Sequence, residues 1–146
     1  MKARKLFYAL LIISFAFIES CGLDVKSESS CKSTLCKGFW SAESGGEPLI
    51  SKYGNFIFKS DGTCQYCTMG GLNGNQINGT WELAEAIDVT KKMSYRKINV
   101  VMSQSIGMGG GTNFELQLYN GEKSYLSFPS TGAQYFHFDD NSKPLK

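Results

Sequence analysis

The chain has 146 residues with 16 glycines, 3 prolines and 13% aromatic residues, enough for one small domain and too short for a multidomain enzyme. Its formal charge of +2 comes from Lys2, Arg4 and Lys5 against Glu19, because from residue 21 onward twelve basic and twelve acidic side chains balance. A neutral domain has no cluster of cations to release counterions from a phosphate backbone, so nucleic acid is excluded as an expected partner.

Residues 1–20 start with those cations, continue through an apolar run from Leu6 to Ile18, and end at Glu19-Ser20. Thirteen helical residues rise about 20 Å at ~1.5 Å each, short of the ~30 Å hydrocarbon core, so the run reads as an export signal and not as a membrane span. The stretch Ile18-Glu19-Ser20-Cys21 resembles the bacterial lipobox, with an aliphatic residue three before the Cys and a small one just before it. That resemblance implies cleavage before Cys21, acylation of Cys21, and attachment by lipid to a bacterial membrane, with the outer membrane of the envelope as the expected location. The cysteine count agrees, since setting Cys21 aside leaves an even four: Cys31, Cys36, Cys64 and Cys67.

Residues 21–37 are rich in Ser and Lys and contain no aromatic residue, which predicts a flexible tether after the lipidated Cys. From 38 to 140 the chain reads as short strands separated by turn signals every eight to twelve residues. Asp61-Gly62 marks a hairpin between 54–60 and 63–68, and Asn120-Gly121 marks another tight turn. Period-two alternation places Ile98, Val100 and Met102 on one face, and likewise Phe114, Leu116 and Leu118. The last strand is expected to set Phe136 and Phe138 inward and His137 outward. Residues 141–146 are a polar tail.

Eight to nine sequential antiparallel strands predict an all-β fold, either a sandwich or an up-and-down β-barrel, and the barrel removes exposed edges. Gly38-Phe39-Trp40 at the start of the first strand resembles the G-x-W signature that opens the lipocalin barrel. The stretch Phe58 to Thr63, with Gly79-Thr80-Trp81-Glu82-Leu83, is similar to a pattern of small bacterial lipocalin-like lipoproteins. The resemblance implies a barrel of about eight strands over 38–140, with Trp40 plugging its closed end and a small apolar ligand inside. The expected interior is Trp40, Phe56, Phe58, Trp81, Phe114, Leu116, Leu118, Leu126, Phe128, Phe136 and Phe138, and the candidate ligand-binding set within it is Trp40, Phe56, Phe58, Trp81, Phe114, Leu116, Phe128 and Phe136. Eight-stranded barrels are either filled by such side chains or keep room for one small ligand. The glycine-rich segments at 70–74 and 107–111 are expected to frame a mouth.

Chemistry-bearing residues are sparse. Cys64-Gln-Tyr-Cys67 has C-x-x-C spacing, which fits zinc, a redox dithiol or a structural disulfide. Export to an oxidising compartment favours disulfides, and a strand position lacks the helix N-terminus that activates a redox thiol. Residues three apart on a strand point to opposite faces, so Cys31 and Cys36 are each expected to bridge to one of Cys64 and Cys67. With His137 as the single histidine, no nucleophile–base pair can form without it, and no catalytic residue, cofactor or resident metal is expected. Asp139-Asp140 reads as a solvated charge run, and Met69, Met93, Met102 and Met108 share no spacing that would define a soft-metal site. The expected function is a membrane-anchored, non-enzymatic envelope lipoprotein that binds a small apolar molecule or another envelope protein. The alternatives are metal- or redox-stress sensing through Cys64 and Cys67, and a protein-interaction or inhibitor module.

Overall fold

In the computed structural model, residues 23–49, 54–68, 72, 74–107, 111–120 and 123–143 are described. The expected export signal and Cys21 lie outside them, as do Met69, Met108 and most of the glycines at 70–74 and 107–111. One helix, α1 (Glu28–Leu35), precedes ten strands: β1 (Phe39–Ser41), β2 (Glu43–Ser44), β3 (Glu47–Pro48), β4 (Asn55–Phe58), β5 (Thr63–Cys67), β6 (Gln76–Asp88), β7 (Ser94–Met102), β8 (Asn113–Tyr119), β9 (Tyr125–Phe128) and β10 (Ala133–Phe138). Strands β4 to β10 pair in sequence order and β1 closes the gap between β10 and β4, giving an eight-stranded, antiparallel, up-and-down barrel. Strands β2 and β3 form a separate hairpin within the β1–β4 connection.

Local sequence explains most of these elements. The Asp61-Gly62 turn forms as expected: Gly62 takes φ +84°, which a β-carbon would resist, and Asp61 Oδ1 accepts from the Thr63 amide at 2.9 Å. Strand β7 alternates without a break, with Ser94, Arg96, Ile98, Val100 and Met102 buried and the residues between them turned outward. Gly38 has φ +56°, and a β-carbon there would sit 1.9 Å from the Phe138 carbonyl oxygen, so the glycine of the G-x-W triplet is what lets β1 approach the end of β10.

The segment 23–35 departs from the expected tether. Ser27 caps α1, its hydroxyl accepting from the Ser30 amide at 3.4 Å, and Val25, Cys31 and Leu35 are buried in the barrel's own core cluster. The segment is a plug that closes the end of the barrel at which β1, β5, β7 and β9 begin. Two indoles mark this end: Trp40 Nε1 donates to Leu35 O at 3.2 Å, and Trp81 Nε1 donates to Lys59 O at 3.0 Å. The plug is fastened by Arg96, which is 7% exposed and projects inward from β7. Its Nε donates to Val25 O at 2.7 Å, Nη1 to Ala84 O at 2.8 Å, and Nη2 to Lys26 O. Ala84 lies in the register shift between Leu83 and Ala86, so the guanidinium satisfies a carbonyl that the bulge removes from the ladder. At the surface Lys26 Nζ meets Asp88 Oδ1 at 2.8 Å.

Strand β10 also departs from expectation. Trp40 pairs with His137 and Phe39 with Phe138, and directly opposed residues share a face, so His137 follows Trp40 inward together with Tyr135. Phe136 and Phe138 therefore project outward, Phe138 stacking on Phe39 with centroids 5.7 Å apart. The expected parity is displaced by one residue, which exchanges the faces of the whole strand.

Arg96→Lys tests the fastening. An ammonium cannot reproduce a planar fork that serves three carbonyls, and each buried polar group left unmet costs about 1–3 kcal/mol. Urea unfolding is expected to show a loss of about 2–4 kcal/mol on the same reasoning, whereas a loss below about 0.5 kcal/mol, the size of an ordinary surface change, would remove Arg96 from its role.

Candidate functional site

The interior predicted from the sequence is assembled in space, with two exceptions, Phe136 and Phe138. Trp40, Phe56, Phe58, Trp81, Leu116, Leu118, Leu126 and Phe128 are buried in a single core cluster, with the partly buried Phe114 packed against it. Phe136 does not join them: it is half-buried on the outer wall, 6.2 Å from the Tyr125 ring, with Lys123 Nζ 5.8 Å from its centroid. Phe138 is buried but outside this cluster. Tyr66, Tyr135 and His137, which the sequence reading did not place inside, are buried as well, as are Ile77, Ile98, Val100, Met102 and Ile106.

Phe56 is the hub of the interior ring contacts. Its centroid lies 5.0 Å from Tyr66, 5.1 Å from Tyr135 in an edge-on contact, 6.0 Å from Phe58 and 6.1 Å from Phe114. Phe114 continues to Phe128 at 4.8 Å and Phe58 to Trp81 at 5.7 Å. Each such pair adds about 0.5–1.5 kcal/mol beyond its buried area, so the rings form a cross-braced filling. Among the described residues, the interior around Phe56 is packed by the protein's own side chains, in the manner of one of the two outcomes open to an eight-stranded barrel. Two open grooves of about 290 and 300 Å³ lie outside it, one bounded by Glu28, Lys32, Asp61 and Trp81, the other by Lys26, Asp88 and Lys91.

His137 is 3% exposed, stacks on Trp40 with centroids 4.5 Å apart and planes within 4°, and donates from Nε2 to Lys37 O. Burial holds its pKa below the ordinary value against the opposing pull of the Lys37 carbonyl, so the imidazole is neutral at pH 7. With one nitrogen and one face already engaged, it is built as a structural group.

The thiols are dispersed and unbridged. Cys31 Sγ lies 3.2 Å from Val25 O in the plug, and Cys64 Sγ lies 3.8 Å from Met102 Sδ inside the barrel. Cys64 and Cys67 occupy opposite faces of β5 as expected, but the cross-links from Cys31 and Cys36 are not formed. Cys67 pairs with the first residues of β4 and β6, at the rim opposite the plug, and faces outward, beyond reach of α1. Burial pushes the Cys31 and Cys64 thiols up to about 11, in Cys31 despite the neighbouring Arg96, and raises Cys36 and Cys67 as well. A protonated, enclosed thiol is a poor nucleophile and a poor metal ligand. No group of three or more His, Cys, Asp or Glu side chains capable of holding a metal occurs among the described residues.

Arg96 was legible but unread. It occupies the core-facing parity of β7, where a charge among Ile98, Val100 and Met102 marks a buried polar network. The glycine-rich connections β5–β6 and β7–β8 do share one end of the barrel, the rim.

Two measurements probe this arrangement. His137 is the only histidine, and its depressed pKa contributes stability that is full above the ordinary value of about 6.5 and is lost as pH falls towards the folded value. The melting temperature should drop between pH 7 and pH 5, and drop less in His137→Gln; parallel profiles would contradict the assignment. In the chain carrying Cys21→Ser, one thiol, the half-buried Cys36, should react quickly with a thiol reagent, and four should react after unfolding. Four fast thiols, or none after unfolding, would contradict the described environments. Comparison with protein-family models, with curated proteins and with solved structures finds no match to this chain.

Proposed function

We propose that the chain is a non-enzymatic lipoprotein of the bacterial cell envelope, anchored through Cys21, whose barrel is a rigid module that contacts another envelope protein through its rim. The observation that carries this reading is the packed aromatic interior, with Phe56 in ring contact with four neighbours. A barrel packed with its own side chains is a scaffold more than a container, and loops on a rigid scaffold are where contact residues concentrate. The β5–β6 and β7–β8 connections supply such loops at one rim. The non-enzymatic reading draws on the engagement of His137 by Trp40 and Lys37 and on the raised Cys31 and Cys64 thiols, which are poorly suited to nucleophilic chemistry.

The lipocalin resemblance also points to a small apolar ligand. Such a ligand would have to part the Phe56 cluster or rest at the half-buried Phe114. The opposed faces of Cys64 and Cys67 count against sensing through that pair.

Environment-sensitive fluorescent fatty acids, titrated into the folded protein and followed through Trp40 and Trp81 emission, should give no saturable change. Saturable binding would move the reading to a carrier. Cys21→Ser should shift the protein from the membrane to the soluble fraction; unchanged retention would contradict the anchor.

A further inference from the structure

The two remaining features of the plug end are how little chain separates it from Cys21 and what lies on the wall beside it. Leu23 packs against the core cluster and Val25 is 1% exposed, so Gly22 alone separates Cys21 from the folded barrel. Two links of chain span at most about 7 Å, far less than the barrel's height. The incoming chain is held beside the β6–β7 turn, where Lys26 pairs with Asp88.

That turn begins a rung of outward aromatic side chains. Tyr95, Tyr119 and Tyr125 are directly paired across β7, β8 and β9, with centroids 5.0 Å and 4.9 Å apart, and Phe136 on β10 extends the rung. Tyr119 is the last residue of β8 and Tyr125 the first of β9, so the rung lies at the plug end and is half-buried in the free molecule. Amphipathic rings with polar tips suit the layer between hydrocarbon and water. At this end Lys59, Lys91, Lys92 and Lys123 lie among the carboxylates Asp61, Asp88, Asp139 and Asp140, whereas the described residues of the β5–β6, β7–β8 and β9–β10 connections at the rim include no Lys or Arg. A mixed-charge border matches the ammonium and phosphate groups of a phospholipid headgroup layer.

We propose that the plug end, with the Tyr95–Tyr119–Tyr125 rung, is a membrane-facing surface seated on the headgroup layer of the bilayer that holds the Cys21 lipid, so that the rim points away from it. The proposal rests on the anchored reading above, because the short leash matters only if Cys21 carries lipid. It adds an orientation and a contact surface: the domain stands directly on the membrane and offers its rim to partners in the aqueous space.

The test is amine-acylation footprinting by mass spectrometry of the full lipidated protein in phosphatidylethanolamine–phosphatidylglycerol vesicles, with Ser130→Lys as a reporter in the β9–β10 connection. Labelling of Lys91 and Lys92 should fall several-fold relative to the Cys21→Ser chain in solution, and labelling at position 130 should not change. Insertion of ten Gly and Ser residues after Gly22 keeps the anchor and lengthens the leash. Recovery of labelling there assigns the docking to the leash, and continued protection assigns it to the surface itself; both support a membrane-facing plug end. Equal labelling of plug end and rim in the lipidated protein would overturn the proposal while leaving the anchor intact. An intact mass without acyl chains would overturn the anchored reading, and this proposal with it.

Discussion

A buried guanidinium holds this barrel shut. Moving a charge out of water is costly, and Arg96 is tolerated inside because three backbone carbonyls, from Val25, Lys26 and Ala84, receive its donors. Among the described residues, the carboxylate within 4.0 Å of it is Glu28, at 3.9 Å, which is 69% exposed at its side chain and too well solvated to be the main compensation. The arrangement works in both directions. The guanidinium needs the plug to be satisfied, and the plug, whose α1 of eight residues is too short to persist alone, needs the guanidinium and the apolar contacts of Val25, Cys31 and Leu35.

From that fastening the rest of the interior follows. With one end sealed by Leu35 over Trp40, the lumen is a cup whose floor is polar at Arg96 and aromatic at Trp40 and His137. Tilted and edge-on ring contacts run from the floor to Phe114 and Phe128, so apolar burial and ring geometry, more than any single polar contact, maintain the barrel's cross-section. The proposed function accordingly rests on the outside, on the rim connections and the aromatic rung.

The barrel itself was legible because its signals are local. Alternation in β7 and β8, the Asp61-Gly62 turn and the Gly38-Phe39-Trp40 start each act within a few residues. What was not legible depends on pairing across strands. The parity of β10 is set by Trp40 lying opposite His137, a partner 97 positions away, and two phenylalanines flanking a histidine point locally to the wrong face. The plug was hidden for a related reason: its serines and lysines describe its solvent side, and its three buried residues acquire meaning only against Arg96. The aromatic rung could not be read at all before register was known, since its members come from four strands.

The account depends most on residues 23–35 being part of the barrel. If they are a tether, Arg96 loses its partners, the closed end opens, and the leash to Cys21 lengthens enough to free the domain. Amide hydrogen exchange on this segment decides the matter. The Cys31 and Cys36 amides, bonded to Ser27 O and Lys32 O, are predicted to exchange as slowly as the amides of β7, rising and falling with the barrel when Arg96 is altered. Exchange of residues 23–35 at the rate of unstructured chain, beside a protected β7, would contradict it.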